Sequence, residues 1–305
     1  MGTENKAVNP LLQGLLDSMQ DLEDVSANAK VLIYGESGVG KTVAAVEVAQ
    51  AILKQKRKKN PKAKILYIDA VEGWVSLLNH PGLTTNVTRF VYQNHAQLVT
   101  LAQALQADVE QVKDFEVIIF DELSTMSKKD LDAVLSARSA ADKSKDPDVP
   151  TQPDFFANTE RMRRLIVMFL GLQNKSIIPV AHLRNDKDDK AGYSIIRPGF
   201  MPKFSETLRE NLHVVAHMTA NEKPSEDGKI LYLRQFQVHP TRLVVAKSRV
   251  GGLPTHVTVP EFITGLTEWM QGSRPDQDES AIEILDDSAV QVEETDDAFI
   301  GIEVE

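Results

Sequence analysis

The chain contains no cysteine. That absence removes disulfides, thiolate zinc sites and thiol nucleophiles together, and it fits a reducing compartment. Apolar runs of bilayer length are missing as well. The strongest, Leu165 to Leu172, is closed by Gln173, Asn174 and Lys175, far short of the roughly 20 residues that a membrane helix needs. No signal-peptide core opens the sequence, so the expectation is a cytoplasmic protein without a membrane partner. No segment repeats at the period of roughly 20 to 50 residues that marks solenoids and propellers. The histidines offer no metal site: His213 and His217 fall on one face of a predicted strand, too far apart for easy chelation, and core packing is the expected role.

What is present is an ordinary globular composition. Of 305 residues, 42% are hydrophobic and 26% charged, enough for a core that needs no covalent staples. The net charge of -10 is uneven: residues 273–305 hold twelve acidic residues against one arginine, leaving the rest of the chain nearly neutral. A bulk charge that belongs to a detachable tail does not exclude a nucleic-acid partner. The expected organisation is an N-terminal helical extension over 1–28, a folded body over 29–272 and an acidic disordered tail over 273–305. The extension is helical because Leu11, Leu12, Leu15, Leu16, Met19 and Leu22 follow Pro10 at near-helical spacing. The tail has too little apolar surface to offset chain entropy.

From Lys30 onward, short β-branched runs alternate with helix-length segments. The runs are Val31 to Tyr34, Ile65 to Ile68, Val117 to Phe120 and Ile177 to Val180, separated by stretches such as Val43 to Lys56 and His95 to Val112. Continuous apolar strands of this kind predict an α/β fold, a mostly parallel sheet covered by helices on both faces. After residue 204, His213 to Thr219, Ile230 to Val238 and Leu243 to Lys247 read as strands, with Asp227 and Gly228 as a turn, and predict an antiparallel extension. Ser127 to Asn158 and Leu183 to Phe204, rich in charge, serine, glycine and proline, are expected as long irregular loops.

Gly35, Glu36, Ser37, Gly38, Val39, Gly40, Lys41 and Thr42 spell G-x-x-x-x-G-K-T between a predicted strand and a predicted helix, the context a P-loop requires. Glycines let successive N–H groups face phosphates, and the helix N-terminus adds its positive end. Lys41 reaches the terminal phosphates and the Thr42 hydroxyl binds magnesium. A magnesium triphosphate needs a second acidic anchor at a neighbouring strand end, and Asp121, after Val117 to Phe120, supplies it. Hydrolysis needs a carboxylate to orient or deprotonate water. Two candidates stand open: Glu122, beside Asp121, and Glu72, just past Asp69 and Ala70. The Asn-Lys-x-Asp guanine reader is missing, because Asn174 and Lys175 are followed by Ser176 and Ile177, which favours ATP over GTP.

These residues resemble the RecA family of recombination ATPases, in particular the short RecA-like recombinases and annealing proteins of phages, over roughly residues 28 to 260. The resemblance implies a RecA-like core and an ATPase that uses ATP and Mg2+. Its water-activating glutamate matches Glu72, whereas the Asp121-Glu122 pair is more typical of AAA motors. His182, at the end of Ile177 to Val180, matches the position that senses the terminal phosphate. Lys247, Ser248, Arg249, Val250 and Gly251 look like the Lys-Asn-Arg-Phe-Gly motif of the RadA branch, with Ser and Val in place of Asn and Phe. In that motif cations reach the ATP of the adjacent subunit, so Lys247 and Arg249 imply a homo-oligomer, ring or filament. A phage origin would put the protein in a bacterial host cytoplasm.

Arg184, Lys187, Lys190, Tyr193, Arg197, Phe200 and Lys203 follow directly after His182 and mix cations with aromatics, which suits sequence-independent binding of single-stranded DNA. A second run, Lys54, Lys56, Arg57, Lys58, Lys59, Lys62 and Lys64, offers a further basic surface. The acidic tail could solubilise, compete for the DNA groove, or dock a single-strand-binding or replication protein. The expected function is a DNA-stimulated ATPase that binds single-stranded DNA and promotes annealing or strand exchange. The alternative is an AAA-type ATPase that remodels or loads a protein partner such as a replicative helicase.

Overall fold

The computed structural model describes residues 27–188, 192–224 and 230–272. The N-terminal helix, Lys190, the Asp227-Gly228 turn and the acidic tail of the sequence reading lie outside these residues. The chain divides into two units, Met1–Pro275 and Asp276–Glu305, and every described residue belongs to the first.

Apolar runs without alternation can be buried on both faces, and here they form a central sheet. Its strands are β1 (Val31–Gly35), β2 (Lys64–Asp69), β3 (Val87–Val91), β4 (Phe115–Asp121), β5 (Ser176–Asp188), β6 (Tyr193–Pro198), β7 (Val214–Pro224), β8 (Ile230–Gln237), β9 (Lys247–Ser248) and β10 (His256–Thr258). The order is β10-β8-β7-β1-β5-β4-β2-β3, with β6 added to β5 and β9 to β7. Strands β7, β1, β5, β4, β2 and β3 run parallel. Strands β8 and β10 extend the sheet antiparallel, as the changed rhythm after residue 204 predicts.

Among the described residues, the helices that cover the faces are α1 (Lys41–Lys56), α2 (His95–Gln106), α3 (Leu123–Ala141), α4 (Gln152–Leu170), α5 (Pro202–Asn211) and α6 (Val259–Met270). One core lies beneath α1 and α6, where Phe236 and Phe262 meet edge to face at 5.0 Å. The other lies beneath α2, α4 and α5, where Phe120 meets Phe169 at 4.8 Å. Both cores bury large side chains completely, and each such side chain contributes roughly 1.5–3 kcal/mol. No helix among the described residues is long and apolar enough to cross a membrane.

Several sequence expectations are corrected. Ser127 to Asn158 is mostly helix: α3 and the start of α4, joined by residues 142–151. The facing surfaces of these helices are tied by polar groups, with Asp130 buried and held by Arg161 at 2.7 Å and by Asn158 at 3.1 Å. Leu183 to Phe204 is a β-hairpin, β5–β6, followed by the start of α5. The stretch His95 to Val112 stops being helical at Gln106. Within Leu243 to Lys247, Lys247 alone belongs to a strand, and Val244 forms an isolated bridge with Ile196. The packing role expected of the histidines, by contrast, is met: His217 packs its ring on Tyr34 and His213 packs on Trp269.

Candidate functional site

Three adjacent strands bring the predicted residues to one edge. Strand β1 ends at Gly35, opposite His182 of β5, and β4, on the far side of β5, ends at Asp121. The loop from Gly35 to Gly40 then turns into α1, with Gly38 and Gly40 at φ 83° and 91°. Those left-handed conformations favour glycine, and they suit a loop whose successive N–H groups converge on an anion. Lys41, 8% exposed, curls back over the loop and donates to the carbonyls of Gly35 at 3.0 Å and Glu36 at 2.6 Å. Burial lowers its pKa, against the opposing pull of Glu122, Asp121 and Glu36.

Beside it, the Thr42 hydroxyl donates to Asp121 Oδ2 at 2.8 Å, and the Tyr67 hydroxyl of β2 donates to the same oxygen. Burial raises the pKa of Asp121, while the Tyr67 and Thr42 hydrogen bonds pull it down. The Tyr67 hydroxyl is itself pushed far up by burial and by Asp121, so it remains a donor.

Glu122 is 3% exposed and faces β5. Its Oε1 accepts the His182 backbone N–H at 2.6 Å, its Oε2 lies 2.7 Å from His182 Nε2, and the Thr125 hydroxyl donates to Oε2 at 3.2 Å. Glu72 sits differently. It is exposed, its backbone is left-handed at φ 58°, and it precedes a short 3-10 turn over Gly73–Leu77. The turn is anchored by Asp69, which accepts the N–H groups of Val71 and Gly73 at 3.2 Å and pairs with Arg89 at 2.7 Å. This folds Gly73 against the metal-anchor candidate: a Cβ there would lie 2.4 Å from Asp121 Oδ2 and 2.9 Å from the Tyr67 hydroxyl.

The remaining predicted residues fall into two other groups. Arg184 and Arg197 flank Asp186 on the β5–β6 hairpin, Arg184 donating at 2.7 Å and Arg197 lying 3.1 Å away. Lys187 is exposed, and Tyr193 lies beneath Arg242 at 4.3 Å. Lys203 pairs with Glu160 at 3.0 Å and lies over the exposed Phe156 ring. Phe200 is a correction: it is 4% exposed and packed on Phe204, and so it serves the core instead of offering a surface for stacking. Lys247 and Arg249 are not brought to the site of their own chain. Strand β9 pairs with Val214 and Val215, at the opposite end of β7 from the loop. There Lys247 donates to the Arg209 carbonyl at 2.6 Å and Arg249 to the Glu210 carbonyl at 3.3 Å, at the C-terminus of α5. The basic run from Lys54 to Lys64 lies at the far end of α1 from the loop. Sequence reasoning missed Tyr67, Asp69 and Gly73, because a tyrosine in a strand and a loop glycine carry no local signal of their role.

The residues fit a magnesium nucleotide. An ammonium whose hydrogen-bond partners, among the described residues, are the carbonyls of its own loop is free to turn to phosphate oxygens, and a hydroxyl-carboxylate pair suits a hard cation. A parallel sheet whose central strand runs into such a loop is the core of the P-loop nucleotide hydrolases. A family model described as an AAA domain matches residues 27–250, and the chain belongs to that family. The domain is therefore of the ATPase type, which uses nucleotide and typically Mg2+. No curated protein matches the chain.

Proposed function

We propose that the chain is an ATP-hydrolysing protein that binds single-stranded DNA and promotes annealing or strand exchange. One observation carries the reading: a single strand, β5, holds His182 against Glu122 and, from the next residue, Leu183, begins the hairpin that bears Arg184, Lys187 and Arg197. A change at the Glu122 carboxylate therefore reaches these cations through its contacts with His182 and one continuous strand, and phosphates would compete with Asp186 for Arg184 and Arg197.

In this reading the loop from Gly35 to Thr42 cradles the phosphates of ATP, and Thr42 with Asp121 would hold Mg2+. The ion would supply charge neutralisation on the phosphates. Lys41 leaves the Gly35 and Glu36 carbonyls for the terminal phosphates. Glu122 Oε2 takes a proton from water as its oxygen bonds to the terminal phosphorus; the phosphoanhydride bond breaks, giving ADP and inorganic phosphate. Burial and the His182 contact favour Glu122 over the exposed Glu72 for this role. Lys247 and Arg249 would act on the nucleotide of an adjacent copy. Their distance from the loop of their own chain supports that assignment, and it makes turnover depend on assembly.

The test is steady-state phosphate release with and without single-stranded DNA, across protein concentration. Stimulation of several-fold, reduced in K187A and in an R184A/R197A pair, is expected. A hydrolase indifferent to DNA would overturn the DNA reading and leave the protein-remodelling alternative, to which the adjacent Asp121 and Glu122 are equally suited.

A further inference from the structure

We infer that Arg234 binds the α-phosphate end of the nucleotide. The inference rests on the loop from Gly35 to Thr42 being the nucleotide site, and it names a contact on the flank of that site opposite Asp121.

The sheet order decides the direction in which a nucleotide lies. Strand β4, with Asp121 and Glu122, stands on one side of β1, and β7 and β8 stand on the other. A triphosphate seated in the loop with its terminal phosphate toward Asp121 and Glu122 sends its α-phosphate and nucleoside toward β7 and β8. Among the described residues, Arg234 is a cation of that flank that reaches the loop. It pairs with Ala220 of β7 and lies two residues from Phe236, so its side chain shares the face covered by α1.

Its path runs against the loop itself. A Cβ placed on Gly40 would lie 3.1 Å from Arg234 Cδ, 3.4 Å from Nη1 and 3.8 Å from the Met218 methyl. Gly40 thus serves two purposes, its left-handed backbone and the passage of the Arg234 stem. Among the described residues, the guanidinium has one hydrogen-bond partner, Glu47 of α1 at 3.4 Å, with both side chains partly exposed. A guanidinium carries five donors in a fork that matches two phosphate oxygens, so one long contact to Glu47 leaves most of that capacity for an anion. The pair with Glu47 parks the cation beside the loop, and an arriving phosphate competes for it.

Because ATP and ADP share the α-phosphate, the inference makes a prediction that a terminal-phosphate contact does not. Titration of the full chain with fluorescent N-methylanthraniloyl ATP and ADP, in Mg2+, should show R234A weakening both nucleotides equally, by about ten- to hundredfold. R234K, which keeps the charge and loses the fork, should fall between. Thermal unfolding without nucleotide checks that both variants fold. Equal affinity in wild type and R234A would overturn the inference while leaving the loop reading intact, and so would a loss confined to ATP. Failure of wild type to bind either nucleotide would overturn the site reading itself, as would K41A binding at wild-type strength.

Discussion

Glu122 grips His182 at both ends of its carboxylate, through the backbone N–H at 2.6 Å and ring Nε2 at 2.7 Å. The backbone contact survives any side-chain change, so a variant at His182 removes the ring contact alone. H182A is expected to lower turnover by about ten- to hundredfold while nucleotide affinity stays within about threefold of wild type. H182Q, which keeps a side-chain donor, should recover part of the loss. Turnover and fluorescent-nucleotide titration on the same preparations separate the two effects.

Tyr67 acts through Asp121. Burial raises the Asp121 pKa, and the Tyr67 and Thr42 hydroxyls restrain that rise by donating to the carboxylate. Removing one donor lets the pKa climb further. The carboxylate must be ionised to hold a cation, so activity is lost as pH falls through that pKa. Y67F should therefore move the acid limb of the turnover profile to higher pH, and raising Mg2+ should partly restore the lost activity. A purely structural role for Tyr67 would scale the profile down without shifting it.

Gly73 is fixed by contact instead of by backbone conformation. A methyl group there would meet Asp121 and Tyr67 at distances no packed pair tolerates, so the 3-10 turn must move. G73A is expected to cost about 1 to 3 kcal/mol in urea unfolding and to weaken the Mg2+ dependence of turnover together. G82A, where an added methyl group meets open space, is the control.

His213 makes stability depend on pH. Burial, followed by the charges of Lys30, Arg249 and Lys247, lowers its pKa from 6.5 to about 4. Between these values the unfolded chain binds a proton that the fold does not, so stability declines as pH falls from 6.5 toward 4. The urea midpoint should drop between about pH 7 and pH 5, and H213F should flatten that slope. Trp269, which meets the ring edge-on at 5.2 Å, provides the fluorescence signal.

The sequence made the phosphate loop and the strand ends legible because their chemistry is local: glycines, a lysine and a hydroxyl in fixed spacing. It also revealed the parallel strands, since β1 and β4 are apolar without alternation. Helix α3 stayed hidden because its buried stripe includes Ser124, which accepts the His182 backbone N–H of β5, and Asp130, whose partners Asn158 and Arg161 lie on another helix. The β5–β6 hairpin read as a loop because its rungs are joined by Arg184, Asp186 and Arg197, with no alternating apolar face. Strand β3, exposed at Thr88, Arg89 and Val91, sits at the sheet edge and carries no buried pattern to detect. The positions of Gly73 and Arg234 depend on contacts between segments remote in sequence, which periodicity does not encode.

The central claim is that Glu122 turns over a nucleotide held by the loop before Lys41. Phosphate release by wild type, E122Q and E72Q, each with ATP and Mg2+, tests it most directly. The account predicts a fall of about 10² to 10³ in E122Q with nucleotide still bound, and a rate near wild type in E72Q. Full activity in E122Q, or its loss only in E72Q, would contradict it.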